Sequence, residues 1–158
     1  MSGGYIRDAI PDDAYLLAPN LRNIDCLEVK AVSGHTALEG LLSSFKVPNS
    51  KVFSIVQNDG EILGMFGVGD CSHGTGYGVP FLLASENLEK HSKEFLRHSR
   101  KWVAELEKDY SVLYNFIHTK NFVAMRWLQW CGFDVKKQMS YGIGKEPFYL
   151  FMKGDNNV

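Results

Sequence analysis

The sequence predicts an α+β fold built on a mixed sheet, and three observations carry that reading. The elements run strand, helices, a meander of strands, a long helix, a strand, a short helix and a closing hairpin. Asn58-Asp59-Gly60-Glu61 reads as a hairpin turn between two apolar strands, because Asp-Gly accepts positive φ at little cost. The stretch Asn115 to Phe133, NFIHTKNFVAMRWLQWCGF, reads as the end of a strand, a turn, a compact amphipathic helix and a sharp stop.

Taken in order, Tyr5–Ala9 is a short strand, and Pro11-Asp12-Asp13 has the chemistry of a helix start, with Leu16, Leu17 and Leu21 on its apolar side. A second helix spans Ile24–Ala31 and stops at Gly34; a third, Thr36–Phe45, places Leu38, Leu41, Leu42 and Phe45 at helical spacing. Lys51–Gln57 and Ile62–Gly69 are the strands on either side of the Asp-Gly turn, and the glycines of the second admit close approach of another backbone. Asp70–Gly78 is a polar glycine-rich loop, and Val79–Ser85 is a strand with its proline near the start. The longest helix is expected from Leu88 to Tyr110, with Phe95, Leu96, Val103, Leu106 and Tyr110 on its apolar side and Trp102 at the margin. Ser111–His118 is a strand. Asn121 caps the next helix, Ala124, Trp127, Leu128 and Cys131 form its apolar face, and Gly132 ends it. Asp134–Tyr141 and Phe148–Lys153 close the chain as a hairpin. Residues 1–153 are expected to form one domain, and residues 154–158 a frayed tail.

Bulk properties exclude several function classes. The 158 residues suffice for one core, with 45% apolar and 22% charged residues. A net charge of -1 supplies no global field for nucleic acid or a membrane surface, so neither is expected as a partner. No apolar run spans a bilayer, and the start MSGGYIRD lacks the core of a secretory signal. The three cysteines, Cys26, Cys71 and Cys131, lack metal-site spacing and read as reduced thiols in a cytoplasmic setting. No metal is expected.

The pattern Asn121-x-x-Ala124-x-Arg126-x-Leu128-x-x-x-Gly132-Phe133 resembles the C-terminal motif of the GNAT N-acyltransferase superfamily, and the order of elements agrees with that family along nearly the whole chain. The resemblance implies a GNAT fold, a mixed central sheet with a mid-sheet splay and helices on both faces. It also implies acetyl-CoA as cofactor and transfer of its acetyl group to a small-molecule or protein amine. A closer likeness is to the internal virion or assembly proteins of short-tailed phages. It rests on Leu21-Arg22-x-x-Asp25-x-x-Glu28-Val29-x-Ala31 with Gly34, on Phe95-Leu96-Arg97-x-x-Arg100 and on Leu113-x-Asn115. That likeness implies a protein of a bacterial host's cytoplasm or of the virion, with a phage structural protein as partner and the catalytic cleft altered or lost.

What the resemblance implies for the site can be placed residue by residue. Backbone groups of Phe81, Leu82, Leu83 and Ala84 would align the pantetheine, with Asn121 and Arg126 bordering the cofactor. The family's phosphate loop is glycine-rich, whereas Glu86–Ser92, ENLEKHS, has no glycine and two acids; Lys90, His91 and Lys93 would offer side-chain contacts to phosphate instead. Many relatives place a proton-donating tyrosine where this chain has Leu128. From the residues themselves, Asp70 and His73 form a candidate general-base pair, the alternative being a polar loop without catalytic role. Asp25, Glu28 and His35 are acid/base or partner-contact candidates on one helical surface, or ordinary solvated charges. His118 is a substrate contact or a packed histidine. Cys26 and Cys131 read as core, and Cys71 as the cysteine open to solvent.

Overall fold

The computed structural model describes residues 4–72 and 76–154. Its elements are β1 (Tyr5–Asp8), α1 (Pro11–Leu17), α2 (Asn23–Ser33), α3 (Ala37–Ser43), β2 (Lys51–Val56), β3 (Ile62–Asp70), β4 (Tyr77–Ala84), α4 (Glu86–Lys90), α5 (Ser92–Glu107), β5 (Val112–His118), α6 (Phe122–Trp130), β6 (Asp134–Tyr141) and β7 (Glu146–Gly154). The strands make one seven-stranded sheet in the order β1-β2-β3-β4-β5-β7-β6. All neighbours are antiparallel except β4 and β5, which run parallel and pair only at Tyr77–Val112 and Gly78–Leu113 before parting. Gly154, expected in the tail, pairs with Val112 as the end of β7; residues 155–158 lie outside the described residues.

Two apolar cores hold the helices to the faces. On one face Ala14, Leu17, Leu21 and Leu41 pack on Val56, Ile62 and Met65, seating α1 and α3. On the other, α5 and α6 bring Val103, Leu106, Leu128 and Cys131 against Phe66, Leu113, Ile117 and Phe151. An aromatic cluster joins the layers there: Trp102 lies 5.1 Å from Phe53 and 5.8 Å from Phe66, and Phe95 stacks on Trp127 at 5.6 Å.

Three local expectations change. Leu16 is 61% exposed, because Ala14 and Leu17 already occupy the inward side of a helix of only seven residues. The long helix is interrupted at His91, where the backbone leaves the helical region (φ -111, ψ 21) and the ring Nδ1 sits 2.8 Å from the Asn87 carbonyl oxygen. A side chain competing for a helix carbonyl is the physical reason that periodicity did not reveal the break. Cys71 is buried, not open to solvent, with its Sγ 2.7 Å from the Tyr114 hydroxyl.

Two devices fix the α1–α2 layer. Asp13, buried under α1, takes a forked bond from Arg7 on β1 (2.7 and 3.0 Å) and further bonds from the Ile10 N–H and the Ser54 hydroxyl of β2. Burial pushes its carboxyl up, but these donors together outweigh it and hold it below the usual range. At the far end, the turn between β6 and β7 lies on the end of α2. The Ile143 N–H donates to the Val32 carbonyl and the Gly144 N–H to that of Ala31, satisfying carbonyls that a helix terminus leaves open. Gly142 enters this contact at φ 79, and a Cβ there would overlap the Ala31 carbonyl.

Replacing Asp13 by Asn is expected to cost about 2 kcal/mol in denaturant unfolding at pH 7, below the value for a fully enclosed pair because Arg7 reaches solvent. A depressed carboxyl supplies its stability above the unfolded pKa and loses it as pH falls through the folded one. The Asn variant should therefore lack the wild type's steepest acid destabilisation below about pH 4. Gly142→Ala should cost roughly 2 kcal/mol or more, combining left-handed strain with overlap, and is checked by the same unfolding curves.

Candidate functional site

Where β4 and β5 separate, each leaves peptide groups facing a gap with no ladder partner, and these groups must be satisfied or left for a ligand. Side chains take most of them. Asn115 bridges the opening, its Nδ2 donating to the Pro80 carbonyl at 2.8 Å while its Oδ1 accepts the Phe116 N–H at 2.8 Å. At the wide end of β4 the Ala84 N–H donates to Asp25, and the Ala84 carbonyl accepts the Arg22 N–H. On β5 the His118 N–H donates to Glu28 at 2.7 Å. The alternation that turns Pro80 and Ala84 away from β3 also turns the Leu82 N–H and carbonyl into the gap. Among the described residues, no side chain bonds to them.

A cavity of about 480 Å³ runs through the sheet at this point. Val29, Val32, Tyr141 and Phe148 line it on the α2 side, and Phe95, Trp102, Trp127 and Leu128 on the α5–α6 side. Glu28 is the one acidic side chain among its described lining residues. It is half-buried and held by two bonds, the His118 N–H to Oε2 and Asn121 Nδ2 to Oε1 at 3.0 Å. Burial raises its carboxyl to about 7, the nearby Asp25 charge adds to this, and the two bonds offset only part of it. Asn121 therefore does two jobs. Its Oδ1 caps α6 through the Ala124 N–H at 3.3 Å, and its amide orients the carboxylate. His118, buried beneath, accepts the Lys120 N–H at Nδ1 (3.1 Å), which leaves Nε2 to donate to Glu146 at 2.8 Å.

Asp25 and Glu28, with three-residue spacing, are thus not solvated helix-face charges. Asp25 is fully buried and receives a forked bond from Arg22 at 2.8 and 2.9 Å, and Arg22 reaches on to Glu89 at 2.9 Å. Arg22, three residues before Asp25, is a local partner, but the groups that bury the two acids come from β4, β5 and the start of α6, which helix spacing does not show.

The remaining sequence candidates divide. Phe81, Leu82, Leu83, Asn121 and Leu128 line the cavity, as does His35 at its α2 margin. Ala84 does not, its peptide being spent on Arg22 and Asp25. Lys90, His91, Lys93 and Arg126 are exposed and outside the lining. Asp70 lies at the end of β3, where it accepts bonds from the Tyr110 hydroxyl and Asn49 Nδ2, both at 2.7 Å. His73, its expected partner, lies outside the described residues. Cys131 is core, and burial raises its thiol to about 11. No group of metal ligands forms among the described residues, nor is any helix there long and apolar enough to cross a membrane.

A coenzyme A thiol arm fits part of this site. The open Leu82 peptide suits an extended amide chain, and the indole Nε1 of Trp127 is buried beside the cavity with no acceptor among the described residues. The diphosphate end fits less well: Ser85 N–H is committed to the Leu63 carbonyl, Leu88 N–H to that of Ser85, and exposed Glu86 and Glu89 bring like charge.

No protein-family model matches the sequence, and no curated protein is similar to it in sequence. Solved structures do match. A GCN5-related N-acetyltransferase from Kribbella flavida superposes with a TM-score of 0.69 at 14% identity, covering 97% of this chain and 98% of that one. The ribosomal-protein-S5-alanine acetyltransferase from Vibrio fischeri gives 0.71 at 14%, covering 99% and 98%. Spermidine N-acetyltransferase from Vibrio cholerae, solved with CoA and spermine, gives 0.61 at 10%, covering 95% and 94%. Such identities speak to architecture alone, and the parted parallel pair, the helices on both faces and the closing hairpin agree with it: the chain has the GNAT acetyltransferase fold.

Proposed function

We propose that the chain is an N-acyltransferase that moves an acetyl group from acetyl-CoA to a primary amine, with Glu28 as the base. The observation that carries this reading is the position of Glu28, a carboxylate fixed by His118 and Asn121 at the wall of a cavity that passes between β4 and β5. When bound, the cofactor would supply an acyl group activated as a thioester and leave as the free thiol, its sulfur taking the second proton that the amine nitrogen loses. The Leu82 peptide and the Trp127 indole would hold the arm, and the Glu28 carboxylate would take the proton from the acceptor's ammonium so that its nitrogen has a free lone pair. A carboxyl near neutrality suits that task, because it is ionised often enough to accept a proton and basic enough to hold it. Lys90, at the end of α4, and Lys93, at the start of α5, are exposed and would meet the diphosphate as side-chain charges in place of a backbone cradle.

A second reading, favoured by the acids Glu86 and Glu89 at the phosphate end, is a non-catalytic assembly protein of the phage type that keeps the fold and binds a structural partner. Cofactor binding separates the two. On the enzyme reading, CoA at about a hundred times its Kd stabilises the fold by roughly 2.7 kcal/mol, seen as a rise in melting temperature. An unchanged melting curve at millimolar CoA rejects it.

Glu28→Gln should lower kcat with an acetylatable amine by about a hundredfold or more. The carboxylate is the working form, so wild-type kcat should fall as pH drops through about 7. The Gln variant should lose that inflection and keep its CoA-induced thermal shift. A variant with unaltered kcat and pH profile removes Glu28 from the reaction.

A further inference from the structure

We propose that the acceptor of this site is a primary amine on a compact apolar body, of the size of an arylethylamine or a branched alkylamine, and not a polyamine or an amino sugar. The inference rests on the reading of the cavity as an acyl-transfer site and names what enters it from the α2 side.

The walls on that side carry the argument. Glu28 stands among Val29, Val32, Phe116, Tyr141 and Phe148. Phe116 and Tyr141 are stacked with ring centroids 3.7 Å apart, and Phe148 meets Tyr141 edge-on at 5.6 Å and His118 at 5.2 Å. These rings form a packed wall whose faces suit an apolar or aromatic substituent and tolerate one ammonium. The hydroxyls of Ser33, Ser43 and Ser44, also at the wall, donate to carbonyls of their own helices, to Val29, Gly40 and Leu41. They offer few free donors to a sugar.

Charge gives the exclusion. One ammonium finds Glu28. A second cation in the same cavity would have no acidic partner among the described lining residues, and stripping its water without a partner is costly. Burial in these walls, with the Asp25 charge nearby, pushes the Glu28 carboxyl up, so its own charge is one that an incoming ammonium relieves. The hairpin contact limits expansion, since Gly142 and Gly144 rest directly on the Ala31 backbone and so tie the lining residue Tyr141 to the end of α2.

The test is binding, read by calorimetry on the whole chain with CoA present, using 2-phenylethylamine, 3-methylbutylamine and spermidine. The two apolar amines should each bind at least about tenfold more tightly than spermidine, and their acetylation rates should follow the same order. Val32→Asp, which adds a second carboxylate, should narrow or reverse that order. If the variant does not fold, the wild-type order decides alone. Spermidine binding as tightly as the apolar amines overturns the proposal, and so does failure of every amine to bind. The CoA-induced thermal shift and the Glu28→Gln pH profile are separate readouts. An enzyme that passes both and prefers spermidine loses only the acceptor class, while one that fails both loses the acyl-transfer reading itself.

Discussion

The architecture depends on two parallel strands parting after only two residue pairs. A sheet broken in its middle exposes peptide groups on both edges, and each orphaned group in a dry interior costs as much as a lost hydrogen bond. This chain meets that demand with three side chains and one backbone N–H, that of Arg22. Asn115 spans the narrow end, Arg22 and Asp25 lock the wide end of β4, and Glu28 takes the last N–H of β5. The Leu82 peptide is left facing the gap. The opening is therefore a held structure, and the Leu82 peptide on its β4 edge has no side-chain partner among the described residues.

The polar groups around the opening form one connected set. Arg22 donates to Asp25 and Glu89, and Asp25 receives Ala84. Three residues along the same helix, Glu28 receives His118 and Asn121, and Asn121 starts α6. One turn of α2 thus carries both the bolt that closes β4 and the acid that faces the cavity. Two carboxylates so close, one paired with a guanidinium and the other with neutral donors, are driven to different tasks by their surroundings. The first is structural. The second is free to titrate.

Features whose cause is local were legible in the sequence. The Asn121 cap, the Gly132 stop and the Asp59-Gly60 turn each depend on a few neighbouring residues, and each is found where expected. The order of strands and helices followed from periodicity, and the fold from that order. What escaped was set by distant partners. Asp25 meets Ala84 across 59 positions and Glu28 meets His118 across 90, so charges at ordinary helix spacing gave no sign of their burial. Leu16 and Leu17 are chemically alike, and only the packing of α1 decides which faces inward. The His91 break turns on a ring nitrogen bonding to a carbonyl, which no apolar pattern encodes.

The clasp between the β6–β7 turn and the end of α2 has a consequence for how the molecule comes into being. The helix that carries Glu28 lies more than a hundred residues before the β6–β7 turn whose N–H groups cover its last carbonyls. The partners of Glu28 on β5 and at the start of α6 are almost as distant. Helices α1 to α3 can gather on the first strands by themselves, but the pocket closes only once the β6–β7 turn has docked on α2. Such long-range closure is slow relative to local structure. Until that contact forms Glu28 stands in water, so the buried surroundings that raise its carboxyl are assembled only when segments far apart in the chain have met.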